Sequence, residues 1–441
     1  MTTRDVELLA IGAGPSNLAL AVALEELAPG LARDSLLLER DEEVSWQRGM
    51  LLPEARSQVS FLKDLVTLRN PRSRFSFLSY LHDTGRLDHF VNMGSFVPYR
   101  VELADYLKWT ARSLSLVEVK LGLECVGLDP VWTDGALTGW QARTADGDTI
   151  RSRYLVVGVG RDARIPEALR GISPERLIHS TEYLPRVAKL DRDLPYRVAV
   201  VGAGQSAAEL FLAVQSDLPE CRPALVMRSI GMNMYESSKF NNELFFGSFV
   251  DKFFEARHEA RRQMLAMMRH TNYAGLAPDT METLYNQFYL DRFSGRSRLA
   301  MHPMHDIAAA RQEGDEVVLS LTDWRTGTTR ELRCDLVLLG TGFSPQMPKM
   351  IRRLAEQTGV SEVDVARDYR MAVPEPSTAA CYLQGVNEAT HGIADSLLSV
   401  LASRAGDIVQ SILTHRAAHA DASKAAQIPV TQIPTAVASA G

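Results

Sequence analysis

The sequence predicts an α/β protein built from two parallel-sheet units, and two observations carry this prediction. An apolar, strand-like run at Val6–Ile11 leads into the glycine-rich turn GAGPSN at residues 12–17 and then into a segment of helical character. A second run at Arg197–Val201 leads into the turn GAGQSA at residues 202–207, again followed by a helical segment. Strand, glycine-rich turn and helix in this order are typical of Rossmann-like dinucleotide-binding domains.

Composition narrows the class of protein further. The chain has 441 residues, enough for two or three domains, and carries a net charge of −6 without a basic run, which argues against nucleic-acid binding. Its four cysteines form no CxxC pair, so the sequence predicts neither a zinc site nor a disulfide framework. No apolar stretch approaches the length of a membrane span, and the first apolar run is strand-length. We therefore expect a soluble, cytoplasmic protein with no membrane or nucleic-acid partner.

Each glycine-rich turn is followed by a second strand whose last residues distinguish two cofactors. Glycine lets the backbone approach a pyrophosphate, and the helix N-terminus supplies N–H groups and a positive dipole end. The second strand of the first unit ends at Glu39, whose carboxylate suits ribose hydroxyls and repels a 2′-phosphate. The corresponding strand of the second unit ends at Arg228 and Ser229, which suit a 2′-phosphate. The first unit is thus predicted to bind FAD and the second NADPH, unless Glu39 and Arg228 are ordinary surface charges.

The strand-like runs and the local composition divide the chain into four regions. Further strand-like runs at Tyr154–Val159 and Leu336–Leu339 end near glycines, as strands that approach a cofactor often do. Between the two halves of the second unit lies a segment rich in Phe, Met, Asn and Arg without strand-like alternation, and the chain ends in an Ala/Pro-rich stretch. We predict an FAD-binding domain (1–190 and 335–414), an NADPH-binding domain (191–236 and 299–334), a small helical substrate-binding insertion (237–298) and a disordered tail (415–441).

A longer motif narrows the family. The segment QVSFLKDLVTLRNP at residues 58–71 closely resembles the N-hydroxylating flavin monooxygenases of siderophore biosynthesis. Its LKDLV core is shared by ornithine and lysine hydroxylases, and the LRNP that follows is similar to the ornithine branch. Further matching stretches lie at 12–17, 177–183, 242–243, 270–273 and 390–399, so the resemblance covers about residues 5–410.

The resemblance implies roles for individual residues. Lys63 and Asn242 are expected to bind the substrate α-carboxylate, Asn272 to lie near the substrate and the nicotinamide ribose, and Ser399 to line the substrate pocket. The residues expected to bind FAD are Gly12, Gly14, Pro15, Ser16, Asn17, Glu39, Trp46, Gln58 and Leu398. Those expected to bind NADPH are Gly202, Gly204, Gln205, Ser206, Arg228, Ser229 and Asn272.

The implied activity is L-ornithine N(5)-hydroxylation for hydroxamate siderophore or related peptide assembly. NADPH would reduce FAD, dioxygen would form a C(4a)-hydroperoxyflavin, and the neutral amine would take its distal oxygen. The cofactor carries this chemistry, so no protein side chain is expected to be catalytic and no metal is expected. Because relatives are often tetrameric, the resemblance also implies a homo-oligomer.

Several alternatives stay open at the level of sequence. The substrate could be lysine, hydroxylated at N(6), or a diamine, although a diamine lacks the carboxylate that Lys63 is expected to bind. The chain could also be a flavin NADPH oxidase or redox sensor without an amine substrate. Asn242 and Asn272 could be helix caps, and Gln47 stands where the family usually has His, which leaves the contacts beside Trp46 undetermined. A disulfide reductase is disfavoured because no redox-active cysteine pair exists.

Overall fold

The structure, a computed structural model, describes residues 2–273 and 275–425. Its strands are β1 (Thr3–Ile11), β2 (Ser35–Leu38), β3 (Glu118–Lys120), β4 (Cys125–Thr133), β5 (Ala136–Thr144), β6 (Thr149–Val157), β7 (Leu177–His179), β8 (Arg197–Val201), β9 (Arg222–Val226), β10 (Asn233–Met234), β11 (Gly275–Leu276), β12 (Ala300–His302), β13 (His305–Glu313), β14 (Glu316–Asp323), β15 (Thr329–Cys334), β16 (Leu336–Leu339) and β17 (Ala380–Leu383). Its α-helices are α1 (Pro15–Leu27), α2 (Pro29–Ala32), α3 (Phe77–Asp83), α4 (Leu87–Met93), α5 (Arg100–Ser113), α6 (Tyr183–Val187), α7 (Gln205–Asp217), α8 (Lys239–Glu243), α9 (Gly247–Glu255), α10 (His258–Asn272), α11 (Pro278–Phe293), α12 (Lys349–Gln357), α13 (Glu388–His391) and α14 (Leu401–Ala425).

The first sheet has strand order β3-β2-β1-β6-β5-β4, with β17 paired to the carboxyl half of β6. The strands β2, β6 and β17 lie parallel to their neighbours around β1, whereas β4 and β5 add an antiparallel edge. All four residues of β2 and of β17 are buried, as expected for parallel strands covered on both faces. The carboxyl ends of β1 and β6 therefore meet at one edge, where the first glycine-rich turn begins.

The second sheet is parallel throughout, with strand order β12-β9-β8-β16-β7. It corrects the predicted domain boundaries at residues 190 and 335, because β7 and β16 belong to this sheet and not to the first. A short apolar run has the same sequence pattern in either sheet, because its apolar residues do not indicate which strand it pairs with. The crossings between the two sheets therefore lie between β6 and β7 and between β16 and β17.

The predicted insertion at 237–298 contains α8, α9, α10 and α11, together with β11, which pairs with β10. These helices lie between β9 and β12 in the chain, so they extend from the edge of the second sheet. A separate antiparallel sheet of β13, β14 and β15 follows them.

The final helix corrects the prediction for the tail. Helix α14 continues to Ala425 and so includes residues 415–425, which the sequence analysis assigned to a disordered segment. Alanine has the highest intrinsic helix propensity, so an Ala-rich stretch can extend a helix without an amphipathic pattern. Residues 426–441 of the predicted tail lie outside the described residues. None of the helices in the described ranges combines the length and the apolar character that crossing a bilayer requires.

Candidate functional site

The first glycine-rich turn lies where β1 and β6 end. Gly12 has a φ of +90°, and a Cβ at this position would lie 2.9 Å from the carbonyl oxygen of Gly158. Gly14 precedes α1, which begins without a side-chain cap, and a Cβ on Gly14 would meet no atom within 4 Å. The first N–H groups of α1 therefore face an open cradle suited to an anionic group.

The carboxylate predicted to bind ribose lies beside this turn. Glu39 accepts hydrogen bonds from the backbone N–H groups of Ala13 at 2.7 Å and Asp41 at 3.2 Å. These bonds hold the carboxylate at the turn, and each oxygen retains lone pairs for further donors. The open cradle and the adjacent carboxylate fit the pyrophosphate and ribose of FAD.

Asn17 is fully buried and bonds to protein groups only, within the described residues. Its amide nitrogen donates to the carbonyl oxygens of Ile11 at 2.9 Å and Gly12 at 2.7 Å, and its oxygen accepts a bond from Gln384 at 2.7 Å. A Cβ on Gly158 would lie 2.7 Å from the Asn17 amide, so this glycine leaves the space that the amide occupies. Asn17 therefore closes the turn against the strand ends.

The second turn repeats the close packing of helix against sheet. Gly202 has a φ of +140°, and a Cβ on it would lie 2.5 Å from the carbonyl oxygen of Gly340. A Cβ on Gly340 would in turn lie 2.5 Å from the Cα of Ala207. Helix α7 begins after Gly204 without a side-chain cap. The first turn of α7 thus approaches β8 and β16 closely, with its N–H groups free to bind a second pyrophosphate.

The residues predicted to bind the 2′-phosphate follow β9. The side chain of Arg228 is 69% exposed, and Asp306, 3.9 Å away, is the one carboxylate within ion-pairing distance in the described ranges. The hydroxyl of Ser229 is buried and has no hydrogen-bond partner among the described residues. An exposed guanidinium and an unpartnered hydroxyl at the carboxyl edge of the sheet fit a phosphate that NADPH would bring.

The side chain of Gln205 has another role. Its amide nitrogen donates to Glu209 at 3.0 Å and to Thr280 at 2.9 Å, and its oxygen accepts from the N–H of Ala277 at 2.8 Å. These bonds connect α7 to the start of α11. Any contact of Gln205 with NADPH is therefore expected through its backbone N–H.

Lys63 lies half-buried against the insertion. Its ammonium nitrogen lies 4.7 Å from the ring centre of Phe246 and 5.9 Å from that of Phe245. No carboxylate of the described residues pairs with it, and burial lowers its pKa from the usual 10.5. A desolvated cation without a counter-ion is suited to bind an anionic ligand.

The four predicted substrate residues come from separate segments, and apolar side chains near these residues pack into one cluster. Asn242 lies in α8, Asn272 ends α10, and Ser399 is buried in a 3₁₀ turn at Leu398–Val400. The cluster that packs these segments together consists of Phe245, Val250, Met268, Ile393, Ala394 and Val400. Because Lys63 lies over Phe245, all four candidates lie around this cluster, which we call the insertion core.

The structure excludes helix capping as the role of the two asparagines. The N-cap of α8 is Ser238, which accepts a hydrogen bond from the N–H of Asn241, and the N-cap of α10 is Arg257. Asn242 is an exposed residue within α8, and Asn272 is the last residue of α10. Their side-chain amides form no hydrogen bonds within the described residues, so both remain candidates for binding substrate.

Of the other residues expected near the flavin, two lie against the core of the first domain. Trp46 and Leu398 are partly buried against that core, and Gln58 is exposed next to the buried Ser57. Gln47, which replaces the usual His, is exposed and has a φ of 54°.

Sequence reasoning missed two polar groups of this region, those formed by Arg404 and by Arg161. Arg404 in α14 forms a fully buried ion pair with Asp395, at 2.9 Å. Arg161 pairs with Glu388 at 3.1 Å, and Glu388 also accepts a hydrogen bond from Tyr273, next to Asn272. An arginine within the otherwise small and apolar start of α14 was the one available signal for the first group. In the described ranges no three His, Cys, Asp or Glu side chains form a possible metal site.

Comparison with known proteins gives one family. The family model for L-lysine 6-monooxygenase/L-ornithine 5-monooxygenase matches residues 4–345. An L-ornithine N(5)-oxygenase of Arthrobotrys oligospora is 37% identical over 434 residues, which cover 94% of this chain and 89% of that protein.

Solved structures agree with this family. The ornithine hydroxylase PvdA of Pseudomonas aeruginosa superimposes with a TM-score of 0.87 at 35% identity, over 93% of this chain and 99% of that one. The ornithine N-hydroxylase KtzI of Kutzneria sp. 744, with reduced FAD, NADP⁺ and L-ornithine, gives a TM-score of 0.87 at 34% identity, over 93% and 100% of the two chains.

Proposed function

This chain belongs to the L-lysine 6-monooxygenase/L-ornithine 5-monooxygenase family, and we propose that it hydroxylates the side-chain amine of L-ornithine at N(5). It is a flavin-dependent N-hydroxylating monooxygenase that uses FAD and NADPH, and dioxygen is its co-substrate. The product, N(5)-hydroxy-L-ornithine, carries the N–O bond that a hydroxamate siderophore or a related peptide requires.

The observation that carries the choice of an amino-acid substrate is the environment of Lys63. Its ammonium lies against Phe246 and Phe245 without a carboxylate partner among the described residues. An α-carboxylate supplies the missing counter-ion, and the exposed Asn242 amide, which forms no hydrogen bond within the described residues, supplies a further hydrogen-bond donor. A diamine would leave the Lys63 cation without this partner.

The protein residues position the substrate and protect it from water. When bound, FAD reduced by NADPH would activate dioxygen, so that one oxygen atom is transferred to the amine and the other leaves as water. Lys63 holds the carboxylate end of the substrate, so the length of the carbon chain determines where the amine lies. The insertion core excludes water from the segment that carries Ser399.

The same apolar surroundings favour a neutral amine. An alkyl ammonium has a pKa near ~10.4 in water, and only the neutral amine is a nucleophile. Burial already lowers the pKa of Lys63 here. A substrate ammonium that enters this neighbourhood without a counter-ion is destabilised in the same way, which favours its deprotonation.

The proposal extends to location and assembly. All four cysteines are buried free thiols, which is consistent with a reducing cytoplasm. Helix α11 exposes Tyr285, Tyr289 and Phe293 at intervals of four residues, and they are 67%, 58% and 80% exposed. Such an aromatic face supports a homo-oligomer, which light scattering of the purified holoenzyme would test.

The direct experiment measures hydroxylated amine and NADPH oxidation together, with L-ornithine, L-lysine, putrescine or no amine. We expect product from ornithine alone, with one NADPH consumed per product. Lys63→Ala should raise the KM for ornithine at least tenfold and leave flavin reduction by NADPH near the wild-type rate. Lys252→Ala, which removes an exposed lysine of α9, is the matched control.

Three results would contradict the proposal. Product from lysine or putrescine would reassign the substrate and retain the chemistry. NADPH consumption with peroxide and no hydroxylated amine would indicate an oxidase. Loss of flavin reduction in the Lys63 variant would mean that this residue serves a cofactor and not the substrate.

A further inference from the structure

A buried chain of hydrogen bonds beneath the first glycine-rich turn begins at Arg404. Its guanidinium donates from Nη1 to Asp395 at 2.9 Å, from Nε to Gln384 at 3.1 Å and from Nη2 to the hydroxyl of Ser16 at 2.9 Å. The side chains of Arg404 and Asp395 have no exposed surface. A buried cation with this many partners fixes the geometry of all of them, because each lost bond leaves a desolvated polar group.

Arginine can only donate, so the direction of each bond in this chain is determined. Gln384 must present its oxygen to Arg404, and its nitrogen then donates to the oxygen of Asn17 at 2.7 Å. Asn17 must in turn present its nitrogen to the carbonyl oxygens of Ile11 and Gly12. The orientation of two buried amides therefore follows from one guanidinium.

The same argument applies to Ser16, in the first turn of α1. Its oxygen accepts a bond from Arg404, so its own O–H remains available to donate. The cradle at the start of α1 faces an anionic ligand, for which a donor is the favourable polarity.

The opposite side of Arg404 holds the segment that carries Ser399. The carboxylate of Asp395 bonds to Arg404 through Oδ1 and accepts the backbone N–H of Asn387 at 2.7 Å through Oδ2. Residues 387–399 are thus attached to the same guanidinium as the turn at residues 12–17.

We propose that Arg404 is a positioning residue that orders the FAD pyrophosphate turn through Ser16 and Gln384 and, through Asp395, holds the substrate-lining segment 387–399 in register with it. The FAD part stands independently of the substrate, and the effect on the amine rests on the proposed function.

The test uses purified holoenzymes and two measurements. FAD release on dilution, followed by the fluorescence of free flavin, gives the FAD dissociation constant without any amine. The KM for ornithine is the second measurement. Arg404→Lys should raise both about tenfold or more, because lysine cannot reach all three partners and each bond to a charged group contributes about this factor. Arg416→Lys is the control, since Arg416 lies in the same helix, is 47% exposed and pairs with Glu7 at 3.5 Å.

Gln384→Glu separates the effect on FAD binding from the effect on the KM for ornithine, and it keeps the ion pair of Arg404. The new carboxylate still accepts from Arg404 but opposes the oxygen of Asn17, so FAD binding should weaken about tenfold while the KM for ornithine changes less than twofold. In a Ser16→Ala background, Arg404→Lys should weaken FAD binding by a smaller factor than in the wild type.

Three results would overturn the inference. One is an Arg404→Lys enzyme that melts earlier but retains the FAD dissociation constant and the KM of the wild type, which would indicate a purely structural role. The others are unchanged FAD affinity in Gln384→Glu and full additivity of Arg404→Lys with Ser16→Ala. If Arg404→Lys weakens FAD binding but the wild-type enzyme forms no hydroxylated product from ornithine, the result would count against the proposed substrate alone.

Discussion

Two cationic side chains of this enzyme are suited to bind ligands because the protein gives them few counter-ions. Among the described residues, Lys63 has two aromatic rings and no carboxylate beside it, and Arg228 has one carboxylate at 3.9 Å. In both cases the sequence indicated an anion-binding cation, and the surroundings leave the cation available. Asn17 shows the opposite, since its side-chain amide already bonds to Ile11, Gly12 and Gln384.

The lowered pKa of Lys63 leads to a pH prediction. Its ammonium is present below that pKa and is lost as the pH rises through it, at a lower pH than for an ordinary lysine at 10.5. Inhibition by valerate, a carboxylate of ornithine's chain length with no amine, should therefore weaken as the pH rises toward 10. In Lys63→Arg the guanidinium stays charged, so the inhibition constant should stay flat over this range. A flat wild-type profile, or equal slopes in both enzymes, would show that Lys63 does not bind the carboxylate.

Arg228 permits a test of cofactor choice. Arg228→Ala should raise the KM for NADPH by about tenfold or more and leave the KM for NADH within twofold, because only NADPH has the 2′-phosphate. Arg325→Ala removes a neighbouring exposed arginine, bonded to Asp323, and is the control. Equal weakening of both cofactors in steady-state kinetics would refute the 2′-phosphate assignment.

At the scale of elements, the structure depends on how closely two helices approach two sheets. Helix α1 approaches the end of β6 where the Asn17 side chain lies against Gly158, and α7 approaches the end of β16 where Ala207 lies against Gly340. The sequence indicated the glycines within the turn motifs as site residues, and it also showed that the runs at Tyr154–Val159 and Leu336–Leu339 end near glycines, as strands that approach a cofactor often do. The role of Gly340 became clear only once β16 was placed beside β8.

The packing of α7 against β16 gives a prediction about one domain. In Gly340→Ala the new Cβ would lie 2.5 Å from the Cα of Ala207, so α7 must shift. We expect the free energy of unfolding to fall by about 1–3 kcal/mol and NADP⁺ affinity to fall with it, while FAD stays bound. Gly171→Ala, where a Cβ meets no atom within 4 Å, should change neither quantity. Calorimetric titration with NADP⁺ and thermal unfolding would measure both, and unchanged NADP⁺ binding in Gly340→Ala would contradict the prediction.

At the scale of the whole molecule, sequence reasoning succeeded where the signal is local. The two glycine-rich turns and the family resemblance were readable because their residues are close together in sequence. The predicted domain boundaries at residues 190 and 335 were wrong because short apolar strands such as β7 and β16 do not specify a partner strand. The link between Arg404 and Ser16 joins residues 388 positions apart, so no local pattern reveals it.

Another long-range contact, an ion pair, joins the two domains. Arg100, at the start of α5, donates to both oxygens of Glu209 in α7 at 2.9 Å and to the carbonyl oxygen of Met50 at 2.8 Å. Both side chains are 8% exposed, and Glu209 also accepts a bond from Gln205 at the second turn. This ion pair fixes the position of the turn that would carry NADPH relative to the FAD domain.

Glu209→Gln removes the counter-ion and leaves the Arg100 cation buried. Breaking a buried pair in this way costs about 3–5 kcal/mol, so the variant should melt well below the wild type. Because the pair also positions the second domain, flavin reduction at saturating NADPH should slow by tenfold or more while FAD stays bound. Glu118→Gln breaks the exposed pair with Arg4, at 45% and 49% exposure, and should cost about 1 kcal/mol or less. Equal melting temperatures for the two variants, or a Glu209→Gln enzyme that is less stable but reduced at the wild-type rate, would mean that other contacts set the domain geometry.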